Sequence, residues 1–326
     1  YAMVSRSHGK RAGAIAALGG VTLPHFFLLS HQAITDMPFV STMTMAMCML
    51  GIAVSADEGA EAPRYRLGPI VVSGQTLTLG TITTVALPQA IYLFTRNVTL
   101  VEGGFAWHGD RFMFGSAGNA GNPGHPAARE VTPVFDGLFS QPGMQALYWV
   151  IGLGLVVWML RRERRVRHLA MFGFYFFCGL SFMAKGIPGF ALPGLVALLY
   201  LIASRRWSLL LGGELRVAAG ILTVAIVGLP WYVAMYIRHG TAFTDRLLVH
   251  DHINRLTSGV HGDTGSIEYF LEQLGFGLFP WIALAPLALG AWIAWRRPAG
   301  APTESGGPYR DGTAAEGVFA SSEKRR

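Results

Sequence analysis

Long apolar stretches alternate with short charged loops along the whole chain. Eight stretches, each close to the roughly twenty residues that cross a bilayer core about 30 Å thick as an α-helix, contain no Asp, Glu, Lys or Arg. Buried helices of water-soluble proteins are usually shorter and amphipathic. The pattern therefore predicts an all-α fold, a polytopic bundle of about eight transmembrane helices. The predicted spans are Ala12–Thr35, Met37–Ala56, Leu67–Thr95, Gly137–Leu160, His168–Ala184, Gly186–Ser204, Val217–Ile237 and Gln273–Trp295.

The composition also indicates a membrane protein. Hydrophobic residues make up 52% of the chain and charged residues only 14%, whereas about a quarter of the residues in soluble domains are charged. A net charge of +7 would suggest a nucleic-acid partner in a soluble protein. Here the Lys and Arg residues are concentrated in short loops between the predicted spans, which is typical of membrane orientation. We therefore expect the lipid bilayer as a partner and no nucleic acid.

The basic loops also predict the topology. If the N-terminus is cytoplasmic, the strongly basic loops all fall on the cytoplasmic side, as the positive-inside rule requires. These are residues 161–167 and 205–216 and the tail that begins at Arg296. The loop at residues 56–66, which ends with Arg64 and Arg66, falls on the same side. The transmembrane domain is predicted to cover residues 1–297, with a long extracytoplasmic loop at 95–142. Residues 298–326 are rich in Gly, Ser and charge and are predicted to form a disordered cytoplasmic tail.

Two charged residues lie at predicted span ends on the extracytoplasmic face. Asp36 precedes Pro38, which suits a first helical turn, and an acid there is favoured by the helix dipole. Asp36 can therefore be an N-terminal cap of the helix. It can equally be a functional carboxylate that binds a sugar or accepts a proton. Lys185 lies between two spans, where it either reaches towards lipid headgroups or binds a lipid-borne phosphate. Both interpretations of each residue stay open at this point.

A third polar segment on the same face begins at His250. Arg255 follows His252 by three positions and Asp251 by four, so a helix would place these residues on one face. The guanidinium suits two-pronged contact with phosphate, and a neighbouring histidine can orient an oxyanion or bind a metal. The alternative is an exposed Asp251–Arg255 ion pair, which contributes little. Glu268 lies in the acidic approach to the last predicted span.

These motifs, taken in order, resemble glycosyltransferase family 39. They are Ile34-Thr35-Asp36-Met37-Pro38, Ala184-Lys185-Gly186, His252-Ile253-Asn254-Arg255-Leu256 and Leu278-Phe279-Pro280-Trp281. The family contains protein O-mannosyltransferases and the bacterial aminoarabinose transferases that modify lipid A. The resemblance runs from about Thr22 to Trp281. It implies a GT-C fold, a transmembrane helical bundle with extracytoplasmic juxtamembrane loops and helices, in the inner (cytoplasmic) membrane.

The resemblance also implies a reaction and roles for residues. A sugar would move from a polyprenyl-phosphate-linked donor to an extracytoplasmic acceptor, which is a lipid, a protein or a glycan. Fixed cations would stabilise the departing lipid phosphate, and Arg255 and Lys185 match the positions for this role. Asp36 matches a catalytic carboxylate that binds acceptor or sugar hydroxyls. The supporting residues are His252, Asp251 and Glu268. A divalent metal near His252 is left open, and no other cofactor is expected.

One departure from the family concerns its principal acid, which lies in the first extracytoplasmic loop after the first span. No acidic pair precedes Asp36, so the resemblance predicts a hexosyl or pentosyl transferase chain without the family's N-terminal spans and leading carboxylate. Whether this chain is active by itself stays open. Two other classes stay open. A transporter or lipid flippase would place charges near the bilayer midplane or in repeated halves, which this sequence does not do. A non-catalytic membrane subunit is the other alternative.

Overall fold

A computed structural model describes residues 1–31, 36–108, 137–254 and 266–295. Helices form most of it, with two β-hairpins, and this confirms the predicted all-α class. The helices are α1 (Ala2–Val21), α2 (Pro24–Ser30), α3 (Asp36–Ser55), α4 (Gly74–Thr95), α5 (Pro142–Leu160), α6 (Val166–Lys185), α7 (Pro188–Ser204), α8 (Trp207–Leu211), α9 (Val217–His239), α10 (Thr241–Thr244), α11 (Ile267–Gly277) and α12 (Ala285–Trp295). The strands are β1 (Arg64–Leu67), β2 (Ile70–Ser73), β3 (Val98–Val101) and β4 (Gly104–Trp107). A π-helix covers Asp245–Asn254, and 3₁₀ helices cover Leu138–Ser140 and Trp281–Leu284.

Five helices in the described part of the chain are long and apolar enough to cross a membrane, namely α3, α4, α5, α6 and α9. Helix α7 is apolar but has only 17 residues. Several hydroxyl groups within these helices donate to carbonyls one turn earlier, as Thr42 does to Pro38 at 2.6 Å and Thr84 to Gly80 at 2.7 Å. Such internal pairing satisfies polar groups where water is absent. The prediction of a multi-pass membrane protein is confirmed.

Helix α6 is the packing centre of residues 1–277, with α3, α7 and α9 against it. Four residues near its middle, Met171, Phe172, Phe174 and Phe176, are each at most 4% exposed. Phe172 and Phe176 belong to an apolar cluster with residues of α4, α5 and α9. Met171 and Phe174 belong to a second cluster with residues of α3 and α7. Both faces of α6 are therefore covered by other helices.

Glycines bring the neighbouring helices close to α6. A Cβ on Gly189 of α7 would overlap the backbone of Ser181 and Phe182. A Cβ on Gly179 of α6 would lie 2.9 Å from Val227 Cβ on α9. Small residues at helix contacts are typical of membrane bundles, because they allow backbones to approach closely. The start of α7 is thus held directly against the last turn and a half of α6.

A cluster of charged side chains, which we call the basal cluster, surrounds the N-terminal end of α6. His168 is only 1% exposed, and its Nδ1 lies 2.7 Å from Glu163 Oε2. Arg216 Nη2 donates to the same oxygen at 2.9 Å. The other carboxylate oxygen of Glu163 accepts hydrogen bonds from the backbone N–H groups of Arg164 and Arg165. The loop before α6 is thereby fixed to the residue that precedes α9.

Glu214 extends the basal cluster towards α3. Arg165 Nη1 donates to Glu214 Oε1 at 3.0 Å, and Arg167 Nη1 donates to Oε2 at 3.3 Å. Arg167 Nη2 also donates to the carbonyl oxygen of Ala56, just beyond α3, at 2.7 Å. Burial acts to raise the pKa of Glu163, but hydrogen bonds with His168, the Arg165 backbone and Arg216 outweigh it, so the pKa lies below its usual range. The pKa of Glu214 is also lowered, since the neighbouring arginines outweigh burial.

The first predicted span, Ala12–Thr35, is not one helix. Helix α1 ends at Val21 and α2 starts at Pro24. Proline has no N–H to donate to the preceding turn and disfavours helical geometry in the residue before it, which explains the division. Helix α1 also starts earlier than the predicted span, at Ala2, and has a non-helical Gly9 with φ of +84°. Residues 32–35 lie outside the described residues.

The third predicted span, Leu67–Thr95, begins with a hairpin rather than a helix. Strands β1 and β2 pair antiparallel, with Arg64 opposite Ser73 and Leu67 opposite Ile70. Gly68 in the turn has φ of +62°, a conformation that favours glycine. Helix α4 begins only at Gly74, where the Ser73 hydroxyl accepts a hydrogen bond from the backbone N–H of Thr76 at 3.1 Å.

The last predicted span, Gln273–Trp295, is also interrupted. Helix α11 ends at Gly277, and residues from Leu278 onwards form a separate unit whose described part contains a 3₁₀ helix and α12. Pro280 falls between α11 and the 3₁₀ helix, where an intact helix would need its missing N–H.

The structure describes only the ends of the predicted extracytoplasmic loop at 95–142. A second antiparallel hairpin, β3–β4, follows α4, with Val98 opposite Trp107. The 3₁₀ helix Leu138–Ser140 precedes α5. Residues 109–136 and the predicted tail at 298–326 lie outside the described residues.

Candidate functional site

The described bundle brings Asp36 and Lys185 together at one end, although they are 149 positions apart in sequence. Asp36 is in the first turn of α3, and Lys185 is the last residue of α6. An anion at a helix N-terminus and a cation at a C-terminus are each favoured by the helix dipole. Gly186 ends α6 with φ of +74°, and its N–H donates to the carbonyl oxygen of Phe182. The two charged residues are therefore held by the ends of two helices that pack together.

Lys185 Nζ donates a hydrogen bond to Asp36 Oδ1. The ammonium also lies 5.5 Å from the centre of the Phe39 ring, within the range of a cation–π contact. The two side chains are 42% and 49% exposed. Ion pairs with this exposure contribute about 0–1 kcal/mol, because water and salt screen them. The pair can accordingly open at little cost when another anion competes for the ammonium.

An apolar cavity of about 290 Å³, the side cavity, lies next to Lys185. Its wall includes Phe182 and Gly186, and the π-helix contributes Leu247 and Leu248. Tyr232 also lines it, and its hydroxyl donates to the carbonyl oxygen of Phe182 at 3.1 Å. An apolar space beside an exchangeable ion pair suits a ligand with a charged head and a hydrocarbon chain.

A larger cavity of about 520 Å³, the main cavity, lies between α4, α5, α6 and α9 at the same end of the bundle. Its wall is mostly apolar but includes the polar side chains of Gln89, Arg96 and Gln145. Met183 of α6 lines it two positions before Lys185. Cavities of about 300–1,000 Å³ with few polar groups are typical of small-molecule sites.

A buried amide holds the rim of the main cavity. Asn97 is fully buried, and its Nδ2 donates to His108 O at 2.9 Å and to Gln141 Oε1 at 2.8 Å. Its Oδ1 accepts a hydrogen bond from the backbone N–H of Gly143 at 2.8 Å. The Trp107 ring packs so closely over Gly143 that a Cβ there would lie 2.6 Å from it. These contacts fix the β3–β4 hairpin to the first turn of α5.

The other predicted site residues are placed only in part. His252 and Asp251 belong to the π-helix, of which the structure describes the backbone at these positions. Arg255 lies outside the described residues, so its predicted two-pronged contact with phosphate is not tested by the structure. Glu268 is exposed in the first turn of α11. The described residues contain no group of three His, Cys, Asp or Glu side chains that could hold a metal, and the open question of a metal near His252 is not tested by them.

Sequence reasoning missed Gln145 and Asn97. Gln145 had a visible signal, since it is the only amide or charged side chain in the otherwise apolar α5. Asn97 had none, because its partners are 11 to 46 positions away and meet it only when the hairpin folds back on α5.

Comparison with known proteins finds relatives among bacterial arabinosyl transferases. The chain is 36% identical over 153 residues to an undecaprenyl phosphate-alpha-4-amino-4-deoxy-L-arabinose arabinosyl transferase of Pseudomonas aeruginosa, covering 45% of this chain and 27% of that protein. It is 34% identical over 170 residues to transferase 2 of this name from Pseudomonas fluorescens, covering 51% and 28%. A transferase of Edwardsiella ictaluri with this name is 35% identical over 113 residues, covering 34% and 20%.

The chain thus spans about a quarter of the length of the curated relatives it matches. No family model matches it, and no solved structure does. The resemblance to the aminoarabinose transferases of glycosyltransferase family 39 is confirmed. Together with the long apolar helices, this similarity confirms the prediction of a multi-pass protein of the inner membrane.

Proposed function

We propose that this chain is part of an integral membrane glycosyltransferase that uses a polyprenyl-phosphate-linked sugar and an acceptor outside the cytoplasm. The relatives are named for an undecaprenyl phosphate-linked 4-amino-4-deoxy-L-arabinose and for arabinosyl transfer. The same class of donor, with a pentose as the transferred sugar, is proposed here. The reacting groups lie on the face predicted to be extracytoplasmic.

The Asp36–Lys185 pair is the observation that carries this proposal. The motifs around these two residues suggested the family, and the fold joins the residues at one end of the bundle. The Lys185 side chain is 42% exposed and lies beside the apolar side cavity. A lipid phosphate bound to Lys185 could extend its first isoprene units along this cavity. The geometry therefore supports a phosphate-bearing lipid at Lys185.

Donor binding would exchange one anion for another on the ammonium. The phosphate takes the place of Asp36 on Lys185, and the released carboxylate can then accept a hydrogen bond from a hydroxyl of the acceptor or the sugar. In the transfer step the bond between the anomeric carbon and the phosphate oxygen breaks, and the lipid phosphate leaves with the electron pair. The acceptor oxygen forms the new bond to the anomeric carbon, and its proton passes to a base. Lys185 stabilises the charge that develops on the phosphate.

For the remaining predicted site residues we propose roles that come from the sequence alone. Arg255 would bind the donor phosphate through its planar fork. His252 would orient the phosphate or a metal. Asp251 and Glu268 would support these cations. Each assignment depends on the resemblance to the family and not on a described side-chain contact.

Substitutions at the ion pair test the proposal in the protein that contains this chain. Asp36→Asn and Lys185→Ala should each lower sugar transfer from an undecaprenyl-phosphate-linked donor by roughly tenfold to a hundredfold, since each removes a charged contact of about 1.5–3 kcal/mol. Stability should change by no more than about 1 kcal/mol, because the pair is half-exposed. Transfer is measured in nanodiscs with expression normalised.

The double exchange Asp36→Lys with Lys185→Asp separates function from structure. It keeps an ion pair between α3 and α6, so a merely structural role would be restored. A phosphate site would not be restored, because the cation then stands on a different helix end. Recovery of transfer in the double exchange would contradict the proposal.

A further inference from the structure

Gln145, in the wall of the main cavity, has a buried hydrogen-bond acceptor that no described residue uses. Gln145 is 3% exposed, and its Nε2 donates to the carbonyl oxygen of Ser140 at 2.7 Å. A carbonyl partner can only accept, so the nitrogen of the amide must be the atom that faces it. None of the described residues donates a hydrogen bond to the other atom, Oε1. A buried carbonyl oxygen without a donor costs about 1–3 kcal/mol, which a ligand hydroxyl would recover.

Aromatic side chains form two other parts of the cavity wall. Tyr92 is 59% exposed and Trp231 is 49% exposed, and both line the main cavity. Arg96 also lines it, and its guanidinium lies 5.3 Å from the centre of the Tyr92 ring. Aromatic faces pack against the C–H surface of a ring, while amides and guanidinium groups pair with its oxygens. This combination fits a compact ligand that is apolar on its faces and polar around its edge.

The buried Asn97 network adjoins two polar groups of the cavity wall. Arg96 directly precedes Asn97, and Gln145 lies two positions after Gly143, so both polar groups are next to residues of the buried Asn97 network. Binding sites gain affinity when their polar groups are fixed before the ligand arrives, because less conformational freedom is lost on binding. The network therefore prepares the position of Gln145 and Arg96 for a ligand.

We infer that the main cavity binds a single hydroxyl-bearing sugar ring, with Gln145 Oε1 accepting a hydrogen bond from one of its hydroxyl groups. Only the source of the ring rests on the proposed function: the ring is either the sugar of the lipid-linked donor or part of a glycan acceptor. The binding of a sugar ring in the main cavity does not depend on that function. Met183, in the wall, places the cavity within one helical turn of Lys185 along α6.

Direct binding tests the inference without any transfer reaction. The protein in nanodiscs is titrated with methyl β-D-glucopyranoside and methyl β-L-arabinopyranoside, and binding is followed by saturation-transfer NMR of the glycoside. At least one glycoside should bind, and Gln145→Leu should weaken it roughly fivefold to tenfold, the effect of one lost hydrogen bond. Gln75→Leu is the matched control, because Gln75 donates to Leu160 O at the opposite end of the bundle. It should leave binding unchanged.

A second variant guards against misfolding of Gln145→Leu. Ala234 lines the same cavity from α9, so Ala234→Leu fills space while it keeps the Gln145 side chain, and it should also weaken binding. Absence of binding by both glycosides, or equal binding by the wild-type, Gln145→Leu and Ala234→Leu proteins, would overturn the inference. The proposed function would survive either result, since Asp36 and Lys185 are not part of this test.

The transfer assay then identifies the source of the ring. If the ring belongs to the donor, Gln145→Leu should raise KM for the lipid-linked sugar, and if it belongs to the acceptor, KM for the acceptor should rise instead. Unchanged values of both KM, with glycoside binding lost, would place the ring outside the reaction and refute its assignment to either substrate.

Discussion

Replacing Glu163 by alanine should destabilise the bundle far more than any change at the exposed Asp36–Lys185 pair. The Glu163 carboxylate is 9% exposed and accepts hydrogen bonds from two backbone N–H groups and from Arg216, besides its contact with the buried His168. Removing one partner of a buried charged group costs about 3–5 kcal/mol, because the other groups are left without compensation. We therefore expect Glu163→Ala to lose about that much free energy of unfolding.

Two further variants set the scale for this measurement. Glu214 is 23% exposed, against 9% for Glu163, and its partner Arg165 is 39% exposed, so Glu214→Ala should cost only about 1–2 kcal/mol. Asp36→Asn should cost at most about 1 kcal/mol. Unfolding is followed by circular dichroism during denaturant titration in mixed micelles. Equal losses for Glu163→Ala and Asp36→Asn would refute the view that the basal cluster anchors the helix ends.

The basal cluster also predicts how stability depends on pH. The folded pKa values of Glu163 and Glu214 lie below the ordinary value of 4.5. A lowered folded pKa gives a stabilisation that is complete above the unfolded pKa and is lost as the pH falls through the folded value. Their contribution should therefore be constant from pH 7 to about 5 and decline only below about 4.5. The decline should be smaller in Glu163→Ala, and an unchanged acid profile in that variant would contradict the assignment.

Two remaining predictions concern packing and the phosphate site. Gly189→Ala should cost about 1–3 kcal/mol or more because its Cβ would meet the α6 backbone, whereas Gly154→Ala, with nothing within 4 Å of the new Cβ, should be neutral in the same unfolding assay. Arg255→Lys should lower transfer from the lipid-linked donor despite keeping the charge, since an ammonium cannot make a two-pronged contact, while Arg246→Ala in the same segment should have little effect. Equal transfer by Arg255→Ala and Arg246→Ala would show that Arg255 does not bind the phosphate.

The helices of the bundle could be predicted from the sequence because the absence of charge is a local property. The predicted span Met37–Ala56 corresponds to α3 at Asp36–Ser55, and Val217–Ile237 corresponds to α9 at Val217–His239. The predicted start of the third span at Leu67 was wrong, since the helix begins at Gly74. The Gly68-Pro69 pair and the alternation before it were turn and strand signals, but a count of uncharged residues does not detect them.

The site could be predicted only in part, because contacts between side chains on different helices cannot be read from the local sequence. Asp36 and Lys185 were found by their positions at span ends, but their contact depends on the antiparallel packing of α3 and α6. Glu163 was not singled out from the basic loop at residues 161–167. Its partner Arg216 is 53 positions away and reaches it only because α9 packs against α6.

The two anchors of the Asn97 side chain make the connection after β4 a natural place for protein engineering. Asn97 Nδ2 donates hydrogen bonds to His108, just before residues 109–136, and to Gln141, a few residues after them. The residues that flank this connection are therefore bonded to the same side chain. Because the closing contacts are made outside it, doubling its length would cost only about 0.6 kcal/mol of closure entropy. An epitope tag or a reporter domain inserted there should leave the helices of the bundle intact, and it would report directly on which side of the membrane this connection lies.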